Sequence, residues 1–120
     1  LVSPPELKMP EKVTSFFDEK GVSYTEVESI EEGLESDVIY MTRVQKERFE
    51  DAAEYERLKL KYILKADHVR DRDIPVMPPL PRVGEIDTDV DELPNAAYFR
   101  QVRNGVVVRM ALLAMLLGKA

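Results

Sequence analysis

Apolar and polar positions change period several times along this chain, and each change marks a candidate element. After Met9-Pro10, the residues Val13, Phe16 and Phe17 fall on one helical face. A proline suits the first turn of such a helix, and Gly21 supplies a stop. Val22 to Val27 reads as a strand. Ser29, followed three residues later by Glu32, has capping-box spacing and predicts a short helix bearing Ile30 and Leu34. The run Asp37-Val38-Ile39-Tyr40-Met41 has strand length and no polar alternation, the pattern of a strand buried on both faces of a parallel sheet. Asp51 to Lys61 reads as a charged helix docking through Tyr55 and Leu58, and Ile74-Pro75-Val76-Met77 as a second short β-like run. Asp89 to Asn104 and Val106 to Lys119 read as two helices broken at Gly105. Strands alternating with helices predict an α/β fold, a three-layer parallel sheet with helices on both faces.

The last of these helices carries its own message. From Val106 to Leu117 only Arg109 is charged, so the helix is apolar nearly all round and must be covered on several sides. It is too short for a bilayer, which takes about 20 residues. One small sheet covers one face of it, and leaving Val107, Leu112, Met115 or Leu116 bare forgoes roughly 1.5–3 kcal/mol each. This helix is built to pack on a second body.

Two loops carry candidate chemistry. Thr42-Arg43-Val44-Gln45-Lys46-Glu47-Arg48-Phe49 follows the predicted buried strand, at the carboxyl end where open α/β sheets collect ligands. Arg43 and Gln45 alternate, so an extended chain puts a guanidinium fork and an amide on one face. Together they suit a carboxylate and an amine, as in an amino acid. The same run also reads as a solvated charged loop. Met77-Pro78-Pro79-Leu80-Pro81-Arg82-Val83-Gly84-Glu85-Ile86 follows the second β-like run. Its prolines fix φ, remove N–H donors and leave free carbonyls that can accept from a ligand amine or amide. A rigid turn between strand and helix fits that spacing equally well.

Composition narrows the classes. A chain of 120 residues with 44% hydrophobic and 33% charged content is expected to form one globular domain with a modest core. Net charge of −6 argues against a nucleic-acid footprint, which needs a basic stripe. The absence of Cys excludes disulfides, thiolate metal sites and cysteine nucleophiles, and fits a reducing compartment. With His68 as the single histidine, in the expected short surface helix Lys65-Ala66-Asp67-His68-Val69-Arg70, a His-based metal cluster is excluded too. No signal peptide or membrane span is visible, and a cytoplasmic location is expected.

Tyr40-Met41-Thr42-Arg43-Val44-Gln45-Lys46-Glu47-Arg48-Phe49 resembles the aspartate-loop signature of the aspartate carbamoyltransferase family. Pro79-Leu80-Pro81-Arg82-Val83-Gly84-Glu85-Ile86 resembles its proline loop. Ala96-Ala97-Tyr98-Phe99-Arg100-Gln101, Asn104-Gly105 and Arg109-Met110-Ala111-Leu112-Leu113-Ala114 are similar to the end of such chains, and Val2 to Pro10 to the opening of the later part of the second domain. The resemblance implies that residues 1–120 are the later part of an aspartate-binding domain, incomplete at its N-terminus and without the carbamoyl-phosphate domain. The family's Ser-Thr-Arg-Thr phosphate loop and its Gly-Arg-Thr segment have no counterpart here, so a fragment, a split-gene subunit or a non-catalytic remnant is expected.

The reaction so implied is attack of the L-aspartate amine on carbamoyl phosphate in pyrimidine biosynthesis, needing no cofactor, metal or protein nucleophile. Arg43 and Gln45 would bind aspartate. The carbonyls around Leu80 and Pro81 would hold the carbamoyl group, with the Leu80–Pro81 bond cis as in the family. Lys46, Glu47, Arg48 and Arg82 would serve loop and domain closure. The implied partners are the two substrates, the carbamoyl-phosphate domain, against which the last helix would pack, and two further copies in a homotrimer. The isolated chain is expected to be inactive. Ornithine carbamoyltransferases, the nearest rival, carry a Cys in the proline loop, and Arg43 would repel the ornithine cation. Pro78 stands where the family has a His. That departure keeps an alternative open, a non-catalytic amino-acid-binding or interaction remnant.

Overall fold

A computed structural model of the chain describes residues 1–119. They form two compact units: Leu1–Ser36 with Val44–Tyr62, and Asp37–Arg43 with the described residues from Ile63 onward.

The first unit is mostly helical. Helix α1 (Glu11–Lys20) begins directly after Pro10 and ends at Gly21, whose φ of 66° lets it cap the Asp18 and Phe17 carbonyls. Phe17 packs on Tyr24 with centroids 5.4 Å apart. Phe16, expected on the same face, is instead half-exposed under the Lys20 ammonium. The capping box is present and starts α2 (Ile30–Gly33): the Glu32 N–H donates to Ser29 Oγ and the Ser29 N–H to the Glu32 carboxylate. The strand expected over 22–27 shortens to one parallel bridge between Val2 and Val27; residues 22–26 are exposed, and the Leu1 ammonium donates to the Thr25 carbonyl at 2.7 Å. Helix α3 (Ala52–Lys61) is capped by Asp51, whose carboxylate accepts the Ala53 N–H at 2.8 Å, and it buries Tyr55 and Leu58 as predicted. Beyond it the Tyr62 hydroxyl donates to the Glu28 carbonyl at 2.7 Å, tying the end of α3 to the approach to α2.

The second unit holds most of the buried core: Leu64, Ala66, Val69, Ile74, Val76, Ile86, Val90, Ala96 and Tyr98. Its centre is a narrow parallel ladder. Val76 bridges Ile39 on one side and Ala96 on the other, and Leu64 bridges Ile86. Among the described residues Ile39 pairs on one side only, as an edge. Val38 and Tyr40, which alternate with it and share the opposite face, are 46% and 59% exposed, and this corrects the expected strand buried on both faces. Helix α4 (Ala66–Val69) is held at its start by side chains: Asp89 Oδ1 accepts the Ala66 N–H and His68 Nδ1 accepts the Lys65 N–H.

The two C-terminal helices expected from the sequence are rearranged. Pro94 lies inside the first of them, where its ring and missing N–H disrupt a helix. That stretch becomes a 3-10 turn at Thr88–Val90 followed by irregular chain. Helix α5 (Tyr98–Leu116) then runs unbroken through Gly105. An interior glycine costs only about 1 kcal/mol, which the flanking turns offset. From Phe99 onward α5 exposes apolar side chains, Leu116 at 83%. No helix among the described residues is long and apolar enough to cross a membrane.

Candidate functional site

Parallel pairing gives the second unit a common exit. Met77 donates its N–H to the Ile39 carbonyl, and Ala97 donates to Val76, so the segments after Ile39, Val76 and Ala96 all leave the ladder at its carboxyl end. Arg43 lies four residues past Ile39, Leu80 four past Val76 and Tyr98 two past Ala96. This is the end where α/β sheets present binding groups.

The proline loop begins at buried Pro78 and contains the cis peptide Leu80–Pro81. Residues 78–84 take part in no backbone–backbone hydrogen bond among the described residues. Side chains hold the loop instead. Arg82 forms a two-pronged ion pair with Asp91: Nη2 donates to Oδ2 at 2.6 Å and Nη1 to Oδ1. Nη1 also donates to the Tyr98 hydroxyl at 3.2 Å, and that hydroxyl donates to Asp91 Oδ1. Two residues before Glu85, the Val83 N–H donates to the Glu85 carboxylate at 2.7 Å, and the intervening Gly84 adopts a φ of 103°. The Arg82 hydrogen bond holds Asp91 below the usual carboxylate range. Burial first, and then the Asp91 contact, push the Tyr98 phenol up to about 12.

The signature loop is divided between the units, with Arg43 in the second and Gln45 in the first. Arg43 and Gln45 are both exposed. Lys46, Glu47 and Arg48 form a single 3-10 turn, also exposed. The turn is tied down at its far end, where Phe49 meets the buried Tyr55 ring at 6.0 Å and the Lys46 ammonium lies 5.9 Å from the same ring. Leu80, Pro81 and Arg82 share the second unit with Arg43.

Sequence reasoning placed Arg82 in the loop but missed its partners. Asp91 sits in an acidic run and Tyr98 in an aromatic pair, and neither pattern signals a contact with an arginine so far back in the chain. Among the described residues, no group of three or more His, Cys, Asp and Glu is placed to hold a metal ion.

Residues 1–116 match the family model described as aspartate/ornithine carbamoyltransferase, Asp/Orn binding domain. The chain belongs to that family. It is 52% identical over 121 aligned positions to the aspartate carbamoyltransferase catalytic subunit of Finegoldia magna, covering 98% of this chain and 40% of that one. To the corresponding subunit of Hyperthermus butylicus it is 50% identical, over 99% of this chain and 39% of the relative. Among solved structures, the catalytic subunit of M. jannaschii aspartate transcarbamoylase superposes with a TM-score of 0.90 at 44% identity, over 99% of this chain and 40% of that chain. The Trypanosoma cruzi aspartate transcarbamoylase in complex with carbamoyl phosphate and aspartate gives 0.79 at 41% identity, over 94% and 39%. The carbamoyltransferase-type domain is thus of α/β class, and it spans about two-fifths of the length of the curated relatives it matches.

Proposed function

We propose that this chain is the aspartate-binding half of an aspartate carbamoyltransferase, acting in pyrimidine biosynthesis with a domain that binds carbamoyl phosphate. The observation that carries this reading is the match of the family's Asp/Orn binding domain across residues 1–116, with the intact Arg43-Val44-Gln45 signature inside it. A similar structure that binds carbamoyl phosphate and aspartate supports the choice of substrates.

In this reading Arg43 grips an aspartate carboxylate through a charge-assisted fork, and Gln45 orients the amino acid near its amine. The carbonyls of Leu80 and Pro81 accept from the carbamoyl NH2 and the attacking amine. Lys46, Glu47 and Arg48, exposed on their turn, make closure contacts. Positioning and charge stabilisation supply the rate, and the amine itself is the nucleophile. The exposed apolar length of α5 packs on the carbamoyl-phosphate domain, and the ladder is one part of a three-layer sheet in the completed enzyme. That enzyme is a cytoplasmic homotrimer.

Arg43→Ala tests the reading in a chimera joining this chain to the N-terminal three-fifths of the Finegoldia magna subunit. Loss of one charge-assisted contact predicts a fall in kcat/KM for aspartate of about 10- to 150-fold, with Arg43→Lys restoring little. Kinetics within about twofold of the unmutated chimera would remove Arg43 from the site. The second reading, a non-catalytic amino-acid-binding remnant, rests on Pro78 in place of the family's His. It is favoured if the unmutated chimera binds aspartate without forming product.

A further inference from the structure

Residues 78–84 are expected, on the reading above, to present carbonyl oxygens to the reacting groups, yet no backbone–backbone hydrogen bond holds them among the described residues. Pro78, Pro79 and Pro81 have no N–H to donate. A loop in this condition takes its position from its ends and from side chains. At the near end, Met77 is pinned to the ladder by its N–H to Ile39. At the far end, the side chain of Arg82, the residue directly after Pro81, reaches two other parts of the chain. Asp91 follows the 3-10 turn at Thr88–Val90, and Tyr98 opens α5. The three groups close a ring of hydrogen bonds, since the phenol also donates to Asp91. The fork of a guanidinium against both carboxylate oxygens fixes direction as well as distance. Tyr98 is fully buried and the Arg82 side chain only 19% exposed, so solvent competes weakly for these bonds.

We infer that Arg82, Asp91 and Tyr98 are positioning residues for the proline loop: a side-chain clasp that does the work a backbone ladder does elsewhere, holding the Leu80 and Pro81 carbonyls in place. None of the three needs to touch substrate for this. The inference rests on the proposed role of Leu80 and Pro81 for its functional meaning, while the clasp itself stands or falls on the behaviour of this chain alone. The geometry also ranks the members. Arg82→Lys keeps the charge but loses the fork, and Tyr98→Phe keeps the buried ring but removes one donor and one acceptor.

Amide hydrogen exchange of the 120-residue chain, read residue by residue, separates a clasp from general support. In Arg82→Lys, exchange at Val83, whose N–H is held by the Glu85 carboxylate, is expected to speed up tenfold or more, with Ile39, Val76 and Ala97 within twofold of the original. Tyr98→Phe should produce a smaller change in the same direction at the same amide. An unchanged loop in Arg82→Lys would overturn the inference. So would acceleration of loop and ladder in step, which marks a merely structural role. In the Finegoldia chimera, Tyr98→Phe is expected to lower kcat several-fold while leaving KM for aspartate within twofold, because the carbonyls act on the carbamoyl NH2 and the amine as they react, while the aspartate carboxylate is gripped elsewhere. A rise in KM with kcat unchanged would overturn the positioning role. If the unmutated chimera makes no product, the proposed function fails by itself and the exchange measurements still decide the clasp.

Discussion

The proline loop and the signature loop are held in opposite ways. Residues 78–84 are rooted at buried Pro78, clasped through Arg82 to Asp91 and Tyr98, and closed by the Glu85 carboxylate on the Val83 N–H. Residues 45–48 form one exposed 3-10 turn, tied down by ring contacts at Tyr55. The difference suits the roles proposed above. A backbone carbonyl cannot be re-aimed without moving the chain, so a loop proposed to work through carbonyls needs a fixed backbone. Arg43 and Gln45 are proposed to work through side chains, which carry their own rotatable bonds.

The sharpest test of that contrast is truncation of the clasp. Arg82→Ala leaves Asp91 without its cation and Tyr98 without a donor, and a loss of about 2–4 kcal/mol is expected. Urea denaturation followed by circular dichroism measures it; a loss under about 0.5 kcal/mol would mean the two loops are held equally weakly. Acid and alkali probe the same contacts. Asp91 has a depressed folded pKa, so its contribution is complete above the unfolded value of about 4 and disappears as pH falls through the lower folded value. Asp91→Asn should therefore flatten the acid limb of the stability profile. Tyr98 is shifted upward, so its contribution is complete below the unfolded value near 10 and is lost as pH rises towards about 12. Tyr98→Phe should flatten that alkaline limb, and an identical limb in the variant would detach the phenol from the clasp.

Smaller effects belong to the other loop. Tyr55→Leu keeps an apolar group under the turn while removing the aromatic contact with Phe49 and the face presented to Lys46, for an expected loss of about 1–2 kcal/mol. Lys46→Gln, at an exposed position, should change stability by less than about 0.5 kcal/mol. A Lys46 effect as large as that of Arg82→Ala would erase the distinction between the loops.

Much of this was legible in the residues because it rests on local rules. Gly21 takes a positive φ because it lacks a Cβ, and Ser29 and Glu32 cap reciprocally because their spacing matches one turn. Tyr55 and Leu58 face inward because they lie three residues apart on α3. The family likeness of both loops could likewise be read from contiguous motifs, and the match over residues 1–116 agrees with it. The expected break at Gly105 and the expected helix from Asp89 differ from the structure because a proline, here Pro94, disrupts a helix far more than a glycine does.

Other features were decided only in three dimensions. Ile39 is an apolar residue in an apolar run, but its status as an edge depends on which segments lie beside Val76, and pairing is a non-local property. Arg82, Asp91 and Tyr98 carry no spacing signal, since they meet through the path of the chain between them rather than through any helical or strand period. The sequence by itself thus determined the stop at Gly21, the Ser29–Glu32 cap and the inward face of α3, which depend on neighbours within a few residues. The tertiary structure alone decided which apolar segment became an edge and which arginine became an anchor, because those outcomes depend on partners that only folding brings within hydrogen-bonding distance.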